Sequence, residues 1–213
     1  MIVAVVGDSG AGKTTALRNL NPKTTLIIDS DKKGLSWKDW KKSFNAEKKN
    51  YLKTDFPQAA LQTLTAVNLN ENYKHVKTVV VDTVNGLMVA DEMRRMKDKG
   101  YDKWADLAAS VYELIDYALT VREDLNVIFV FHAQVERDES GYSFTRIKTN
   151  GKKLDKIVLE SKFPVVLLAK QLDGKYVFET HANNSTAKSP IGMFEEDVIE
   201  NDLQKVLEAL AGF

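Results

Sequence analysis

The chain has 213 residues, of which 44% are hydrophobic and 28% are charged. This composition is typical of a globular protein with one substantial core, and the length favours a single domain over residues 1–213. Thirty basic residues balance thirty acidic ones, so any surface for nucleic acid must be a local patch. The absence of cysteine excludes disulfides and thiolate metal sites. No apolar run is long enough to cross a bilayer, and the first residues do not read as a secretory leader, which predicts a cytoplasmic protein without a membrane partner.

The first two thirds of the chain alternate between short β-branched runs and longer amphipathic segments. The short runs predict buried strands over residues 2–6, 24–28, 78–81 and 127–131. The longer segments predict helices over residues 13–20, 55–67 and 91–121, the last of them interrupted near Gly100. This alternation is typical of an α/β fold with a parallel central sheet.

The last third of the chain follows a different pattern. Residues 141–148 are expected to form an extended arm. Two strands are predicted over residues 163–170 and 176–180, because Asp173-Gly174 between them is a strong hairpin signal. A helix is predicted over residues 195–210 from its apolar stripe. We therefore predict an α/β fold whose mainly parallel central sheet is flanked by helices and extended by antiparallel C-terminal strands.

A glycine-rich motif lies between the first predicted strand and the first predicted helix. It fits the pattern G-x-x-x-x-G-K-[ST], in which main-chain N–H groups converge on phosphate oxygens. Lys13 is expected to bridge the β- and γ-phosphates of ATP, and the Thr14 hydroxyl to bind Mg²⁺. The alternative is a chance glycine-rich turn, which the flanking elements disfavour. The predicted nucleotide-binding residues are Gly7, Asp8, Ser9, Gly10, Ala11, Gly12, Lys13, Thr14 and Thr15.

Acidic residues follow the second and third predicted strands. Asp82 ends the third strand, where a carboxylate can hold the coordination shell of the magnesium ion, although it can also serve as a cap for the next helix. Asp29 and Asp31 follow the second strand. Asp31 is the better candidate for the base that activates water, because it lies in the loop beyond the strand. The alternative for both is a structural place in a turn.

Gln134 lies at the end of the fourth predicted strand. Its side-chain amide can both donate and accept hydrogen bonds, so it is a candidate sensor of the γ-phosphate. The alternative is a polar residue that simply ends a strand. The predicted catalytic residues are Lys13, Asp31, Asp82 and Gln134.

Four segments resemble, in this order, the motifs of RecA-like P-loop ATPases: G-D-S-G-A-G-K-T at 7–14, L-I-I-D-S-D at 26–31, V-V-V-D-T at 79–83 and F-V-F-H-A-Q at 129–134. The chain is most similar to the short bacteriophage ATPases of single-strand annealing and recombination. The resemblance covers roughly the first two thirds of the chain. It implies a RecA-like fold, ATP hydrolysis stimulated by DNA and, for a phage protein, a place in the host cytoplasm.

The same resemblance implies roles for single residues. Asp31 takes the place of the catalytic glutamate, Asp82 that of the Walker B acid and Gln134 that of the switch residue. The family usually has the longer glutamate at the first of these positions, and this difference bears on the rate of hydrolysis. Family members assemble head to tail into rings or filaments and often complete the site with a basic residue of the neighbouring subunit. The resemblance implies this role for Lys188.

Loops after the third and fourth strands face DNA in RecA-like proteins. The segment after Gln134 mixes basic and aromatic residues, which can contact phosphates and stack on unpaired bases; an exposed hairpin of mixed charge is the alternative. Residues 32–53 form a second basic region, with eight lysines beside four aromatic residues, and a solvated lysine face is its alternative. The candidate contacts for single-stranded DNA are Arg137, Tyr142, Phe144, Arg146, Lys148, Lys152 and Lys153.

The leading hypothesis is an ATPase that binds single-stranded DNA and promotes annealing or homologous recombination. A small-molecule P-loop kinase is one alternative, because such enzymes share the phosphate loop. A nucleotide-dependent DNA-binding or assembly protein that does not hydrolyse ATP is the other, because Asp31 replaces the usual glutamate.

Overall fold

The computed structural model of the protein describes residues 1–97, 102–150 and 157–213. These residues form a nine-stranded sheet with helices on both faces. The strands are β1 (Ile2–Gly7), β2 (Thr25–Asp29), β3 (Tyr51–Lys53), β4 (Thr78–Asp82), β5 (Asn126–Arg137), β6 (Ser143–Ile147), β7 (Val165–Leu172), β8 (Lys175–Glu179) and β9 (Val198–Glu200). The α-helices are α1 (Trp40–Ser43), α2 (Pro57–Leu69), α3 (Val84–Arg94), α4 (Asp102–Ala118) and α5 (Leu203–Gly212).

The strand order of the sheet is β3-β2-β4-β5-β1-β7-β8-β9. The first six strands in this order pair in parallel, whereas β8 and β9 are antiparallel additions beside β7. β6 lies off this path and pairs antiparallel with the end of β5. The predicted fold class, a mainly parallel sheet flanked by helices with antiparallel C-terminal strands, is confirmed.

Two apolar cores lie on the two faces of the sheet. Successive residues of a strand point to opposite faces, so Ala4 belongs to one core and Val5 to the other. Helices α2, α3 and α4 cover the first face, whereas α1 and α5 cover the second. Burial on both sides explains why β1, β4 and β5 read as continuous apolar runs. Among the described residues, no helix combines the length and the apolar character needed to cross a membrane.

The helix predicted over residues 13–20 is wrong in type and length. Only Thr15–Leu17 forms a helix, and it is a 3-10 helix. The amides of Leu17 and Arg18 bond to carbonyls three residues back, as in a 3-10 turn. Asn21-Pro22 then ends the segment, because proline cannot continue a helix.

The helix predicted over residues 91–121 consists of two helices and begins earlier than expected. Helix α3 starts at Val84, because Thr83 caps it: the Thr83 Oγ1 accepts a hydrogen bond from the Gly86 amide at 3.0 Å. It ends at Arg94, and α4 follows as a separate helix. The predicted interruption at Gly100 lies outside the described residues.

The last predicted helix begins too early. It starts at Leu203 rather than at residue 195, because Asp202 is its N-cap and accepts a hydrogen bond from the Gln204 amide at 2.9 Å. Val198–Glu200 before it forms β9, which pairs with β8. The hairpin predicted at Asp173-Gly174 is confirmed, since β7 and β8 pair antiparallel around these two residues.

The fourth predicted strand is longer than expected and carries a hairpin. β5 continues past Phe131 to Arg137, because β6 pairs with it from Ala133 onward. The predicted extended arm of residues 141–148 is therefore the second strand of this β5–β6 hairpin. β1 ends at Gly7, opposite His132, so the hairpin extends beyond the edge at which β1 stops.

Candidate nucleotide site

The phosphate loop follows β1 at the carboxyl edge of the parallel strands. Gly7 pairs with His132, and the loop then turns through Gly10 and Gly12, whose φ angles of 83° and 89° lie in the left-handed region. A Cβ atom at position 12 would also lie 2.7 Å from the Tyr176 Cδ1 atom. Both the backbone and the neighbouring ring therefore require glycine at this position.

Lys13 lies inside the loop and is only 6% exposed. Its Nζ donates hydrogen bonds to the carbonyl oxygens of Gly7 at 2.8 Å and Asp8 at 2.7 Å. Burial lowers the pKa of Lys13, and the negative charge of Asp82 partly opposes this shift. The ammonium group is thus held against the loop with two carbonyl acceptors that phosphate oxygens can replace.

Asp82, at the end of β4, is 1% exposed. Its Oδ2 accepts a hydrogen bond from the Thr14 Oγ1 at 2.8 Å, while its Oδ1 is buried and has no hydrogen-bond partner within the described ranges. Burial raises the pKa of Asp82 to about 6. A buried carboxylate oxygen without a partner, next to a hydroxyl, fits a hard cation such as Mg²⁺. Since Thr83 caps α3, the alternative role of Asp82 as the helix cap does not apply.

The two acidic residues after β2 have different surroundings. Asp29 is buried, and its Oδ2 accepts hydrogen bonds from the Tyr51 hydroxyl and from the Gly34 amide at 2.8 Å. Asp31 lies beside the loop after β4: its Oδ1 accepts a hydrogen bond from the Thr83 Oγ1 at 3.3 Å. Asp29 therefore shapes the loop, whereas Asp31 is the one of the pair that faces the site.

Close packing fixes the position of Asp31. The Ser30 hydroxyl accepts a hydrogen bond from the Thr83 amide at 2.9 Å, which ties the loop after β2 to the loop after β4. A Cβ atom at Gly86 would lie 2.5 Å from the Asp31 Oδ1. The first turn of α3 thus approaches Asp31 so closely that it leaves no room for a side chain.

Gln134 does not end its strand, contrary to the prediction. It lies within β5, is half-buried and pairs with Arg146 of β6. It shares a face of β5 with His132, two residues earlier. Val130, also on this face, packs in the second core with Ala11 of the phosphate loop, so this face of β5 looks toward that loop.

Asn85 joins the start of α3 to the β5–β6 hairpin. Its Oδ1 accepts a hydrogen bond from the His132 amide at 2.7 Å, and its Nδ2 donates to the Lys148 carbonyl at 2.9 Å. Asn85 is 4% exposed, so water cannot readily take its place as the hydrogen-bond partner of these two backbone groups. The Asn85 side chain holds the hairpin against the carboxyl edge of the parallel strands, where the phosphate loop lies.

Asn85→Ala is expected to lower the free energy of unfolding by about 2 kcal/mol, because two backbone groups lose their partners. Urea denaturation followed by circular dichroism measures the change. Asn72→Ala is the matched control, since Asn72 is exposed and should change stability by less than about 0.5 kcal/mol. Equal stability of the two variants would contradict the structural role of Asn85.

The remaining residues of the phosphate motif surround this site. Asp8, Ser9 and Gly10 are exposed at the tip of the loop, and Ala11 is buried beneath it. The Thr15 Oγ1 lies 3.0 Å from the Ser36 Oγ, so it connects the loop to the segment after β2.

Lys188 lies away from the phosphate loop of its own chain. Its main chain pairs with Val166 of β7 through hydrogen bonds of 2.8 and 2.9 Å. Val166 in turn pairs with Ala4, in the middle of β1 rather than at its Gly7 end. A role of Lys188 in the site of a neighbouring subunit stays a prediction.

Three residues predicted to contact DNA are exposed on the β5–β6 hairpin, and their contact with DNA stays a prediction. Arg137, Tyr142 and Lys148 are exposed. The ring of Tyr142 stacks on that of Phe144, with centroids 6.3 Å apart and planes at 17°. Lys152 and Lys153 lie outside the described residues.

Arg146 is placed differently from the prediction. It is 7% exposed and forms ion pairs with Glu136 at 2.7 Å and Glu160 at 3.6 Å. Burial and pairing argue against a contact with DNA. Its observed contacts join the hairpin to the 3-10 helix Leu159–Lys162.

The second basic region divides into buried rings and exposed lysines. Phe44 is buried, while Trp37, Trp40 and Tyr51 are half-buried and pack on the second core. All eight lysines of residues 32–53 are exposed. This arrangement favours the alternative interpretation of a solvated lysine face over packed rings.

Sequence reasoning missed three residues beside the site. Tyr176 packs on Gly12, Lys33 pairs with Asp31 at 2.7 Å, and Asn85 anchors the hairpin. Each depends on a contact between segments distant in sequence or on a loop conformation. Only the position of Lys33, two residues after Asp31, offered a signal in the sequence.

The fold and the site together define a P-loop nucleotide-binding protein, because the phosphate loop, the buried Lys13 and the Thr14–Asp82 pair meet at the carboxyl edge of a parallel sheet. A family model described as "AAA domain" matches residues 1–191. The chain therefore belongs to this AAA domain family and is a nucleotide-binding ATPase of the P-loop class. No curated protein matches the chain.

Proposed function

We propose that the protein is a magnesium-dependent ATPase that binds single-stranded DNA and promotes annealing or homologous recombination, as the short bacteriophage ATPases do. The observation that carries the ATPase proposal is the buried Asp82 Oδ1, which has no hydrogen-bond partner among the described residues and lies beside the Thr14 hydroxyl. Such an oxygen is costly to bury unless a cation completes the site. Lys13, already positioned in the loop, supports nucleotide binding next to it.

Each proposed catalytic residue has a separate task. Lys13 would exchange its loop carbonyls for phosphate oxygens, and Thr14 and Asp82 would hold Mg²⁺. The ion, when bound, supplies positive charge that stabilises the phosphoryl group in transfer. Asp31 would accept the proton of the attacking water. Gln134, on the face of β5 that looks toward the loop, would report the γ-phosphate to the hairpin.

Self-association is part of the proposal. A ring or filament would place Lys188 of one subunit near the nucleotide of the next, where a second positive charge stabilises the transferred phosphoryl group. Support for this step comes from the resemblance alone.

The β5–β6 hairpin supports the DNA part of the proposal. The hairpin carries two stacked rings, Tyr142 and Phe144, and the exposed cations Arg137 and Lys148. Aromatic faces stack on unpaired bases and cations meet phosphates, and this combination is typical of surfaces for single strands. Asn85 joins the base of the hairpin to the start of α3, which connects the proposed DNA surface to the proposed ATPase site.

The decisive experiment measures ATP hydrolysis with single-stranded DNA, with duplex DNA and without DNA. We expect turnover that requires Mg²⁺ and rises with single strands. Hydrolysis without any effect of DNA would contradict the recombination proposal but leave the ATPase in place. A phosphorylated small product would indicate the kinase instead, and nucleotide-dependent DNA binding without turnover would indicate the assembly protein.

Tyr142→Ala is expected to weaken binding to a fluorescent single-stranded oligonucleotide about tenfold, because the stacking of one base on an aromatic ring is lost. Fluorescence anisotropy measures the change. Phe213→Ala is the control, because Phe213 is also an exposed aromatic residue but does not belong to the hairpin. It follows α5, which borders a cavity at the amino end of β1 together with Met1. If both variants bind the oligonucleotide with equal affinity, the hairpin does not belong to the surface that binds DNA.

A further inference from the structure

A second lysine reaches the nucleotide site from the loop after β2. The Lys33 Nζ lies 2.7 Å from the Asp31 Oδ2, and the Asp31 Oδ1 accepts the hydrogen bond from the Thr83 hydroxyl. Both oxygens of the carboxylate proposed as the base are therefore engaged. A carboxylate has about four lone-pair sites, so water can still reach Asp31, but it competes there with the Lys33 ammonium group.

The charge of Lys33 acts on the groups that surround the phosphate loop. It contributes to the lowered pKa values of Lys13 and His132, and it opposes the raised pKa of Asp82. These three groups come from the phosphate loop, from β5 and from β4. The contacts agree with this: Lys33 pairs with Asp31, which also bonds to Thr83, the residue after Asp82, so the Lys33 ammonium group lies near the Asp82 end of β4.

The backbone of the loop that carries Lys33 is held in place, whereas the Lys33 side chain is half exposed. Gly34, the next residue, donates its amide hydrogen to the buried Asp29 carboxylate at 2.8 Å. The Lys33 side chain is 51% exposed and ends in a flexible four-carbon stem. Its ammonium group can therefore change partners while the backbone stays in place.

We propose that Lys33 is a second phosphate-binding residue of the same subunit, which exchanges Asp31 for the terminal phosphate of ATP and thereby frees Asp31 to accept a proton. This inference rests on the proposed ATPase function. It gives the terminal phosphate a cation without any contribution from a neighbouring subunit. The exchange is favourable because a terminal phosphate carries more negative charge than one carboxylate. A nucleotide that lacks this phosphate leaves the Lys33–Asp31 pair intact.

The test compares affinities for a non-hydrolysable ATP analogue and for ADP, both with Mg²⁺, by isothermal titration calorimetry. Lys33→Met is expected to weaken binding of the analogue about tenfold and to leave the affinity for ADP unchanged. Unchanged ADP binding also shows that the variant is folded. Lys32→Met is the matched control, because Lys32 is similarly exposed and pairs with Asp55, at 2.8 Å, instead of Asp31. Equal loss of affinity for both nucleotides, or no loss for either, would overturn the inference.

A double-mutant cycle tests the exchange itself. Asp31→Asn removes the competitor for Lys33, so it should raise affinity for the ATP analogue several-fold while hydrolysis falls. In the Lys33→Met background the same substitution should no longer raise affinity. A gain that persists without Lys33 would contradict the exchange. If the wild-type protein binds and hydrolyses ATP but the Lys33 and Asp31 variants bind the ATP analogue with wild-type affinity, only this inference fails. If the wild-type protein binds no nucleotide, the proposed function fails first.

Discussion

Lys13→Ala is expected to lower ATP hydrolysis by about 10²–10³-fold and to abolish tight binding of ATP. The Lys13 ammonium is buried and positioned before any phosphate arrives, so its loss removes a preorganised charge from the site. A coupled assay for ADP release measures turnover, and calorimetry measures binding.

The control for this variant is Lys23→Ala, which removes an exposed lysine near the start of β2. It should leave turnover and nucleotide affinity within about twofold of the wild-type values. Wild-type turnover in Lys13→Ala would show that Gly7 to Thr14 is not the phosphate-binding loop, and the ATPase proposal would fall with it.

Asp82→Asn is expected to stabilise the nucleotide-free protein and to disable the enzyme. Burial raises the pKa of Asp82 from 3.8 to about 6, so the ionised carboxylate costs about 3 kcal/mol of stability at neutral pH. A neutral amide removes this cost and can still accept the hydrogen bond from Thr14. It cannot replace the carboxylate as a ligand of Mg²⁺, so hydrolysis should fall about 10²–10³-fold.

The stability gained by Asp82→Asn should depend on pH. Between about pH 4 and pH 6 the folded protein binds the Asp82 proton more tightly than the unfolded chain, so stability falls as the pH rises through this window. The gain from Asp82→Asn should therefore be small near pH 4 and largest above pH 6. Chemical denaturation at pH 4.5 and pH 7.5 measures it. The control is Asp173→Asn, at an exposed turn, which should change stability equally at the two pH values. A gain from Asp82→Asn that is the same at both pH values would contradict the raised pKa of Asp82.

The centre of the fold could be predicted from the sequence because its signals are local. Strands such as Ile2–Gly7 and Thr78–Asp82 are buried on both faces, which gives continuous β-branched runs. The phosphate motif fixes the order of strand, loop and following segment. The turn at Asp173-Gly174 fixed the antiparallel pair β7–β8.

The edges of the sheet could not be predicted in the same way. β3 and β9 have only three residues each, so neither shows an alternation that a sequence pattern can detect. Their pairing depends on strands distant in sequence. The start of α5 was missed for a related reason: Val198 and Ile199 fit the apolar stripe of a helix, but pairing with β8 takes them into a strand.

The site shows the same division between local and distant signals. Asp82 and Lys13 follow directly from their motifs. The different surroundings of Asp29 and Asp31 could not be predicted, because they depend on Tyr51 and Thr83, which the fold brings to the end of β2. The burial of Arg146 was equally hidden, since its partner Glu160 lies in a separate 3-10 helix.

β5 is one unbroken strand that carries His132 beside the phosphate loop and Arg137 at the far end of the hairpin. At about 3.4 Å per residue, the interval between these two residues spans about 17 Å. Because the strand is continuous, any tilt of β5 at His132 would move the tip of the hairpin farther than His132 itself. The length of β5 thus couples the two ends of the hairpin through the backbone, without a relay of side chains.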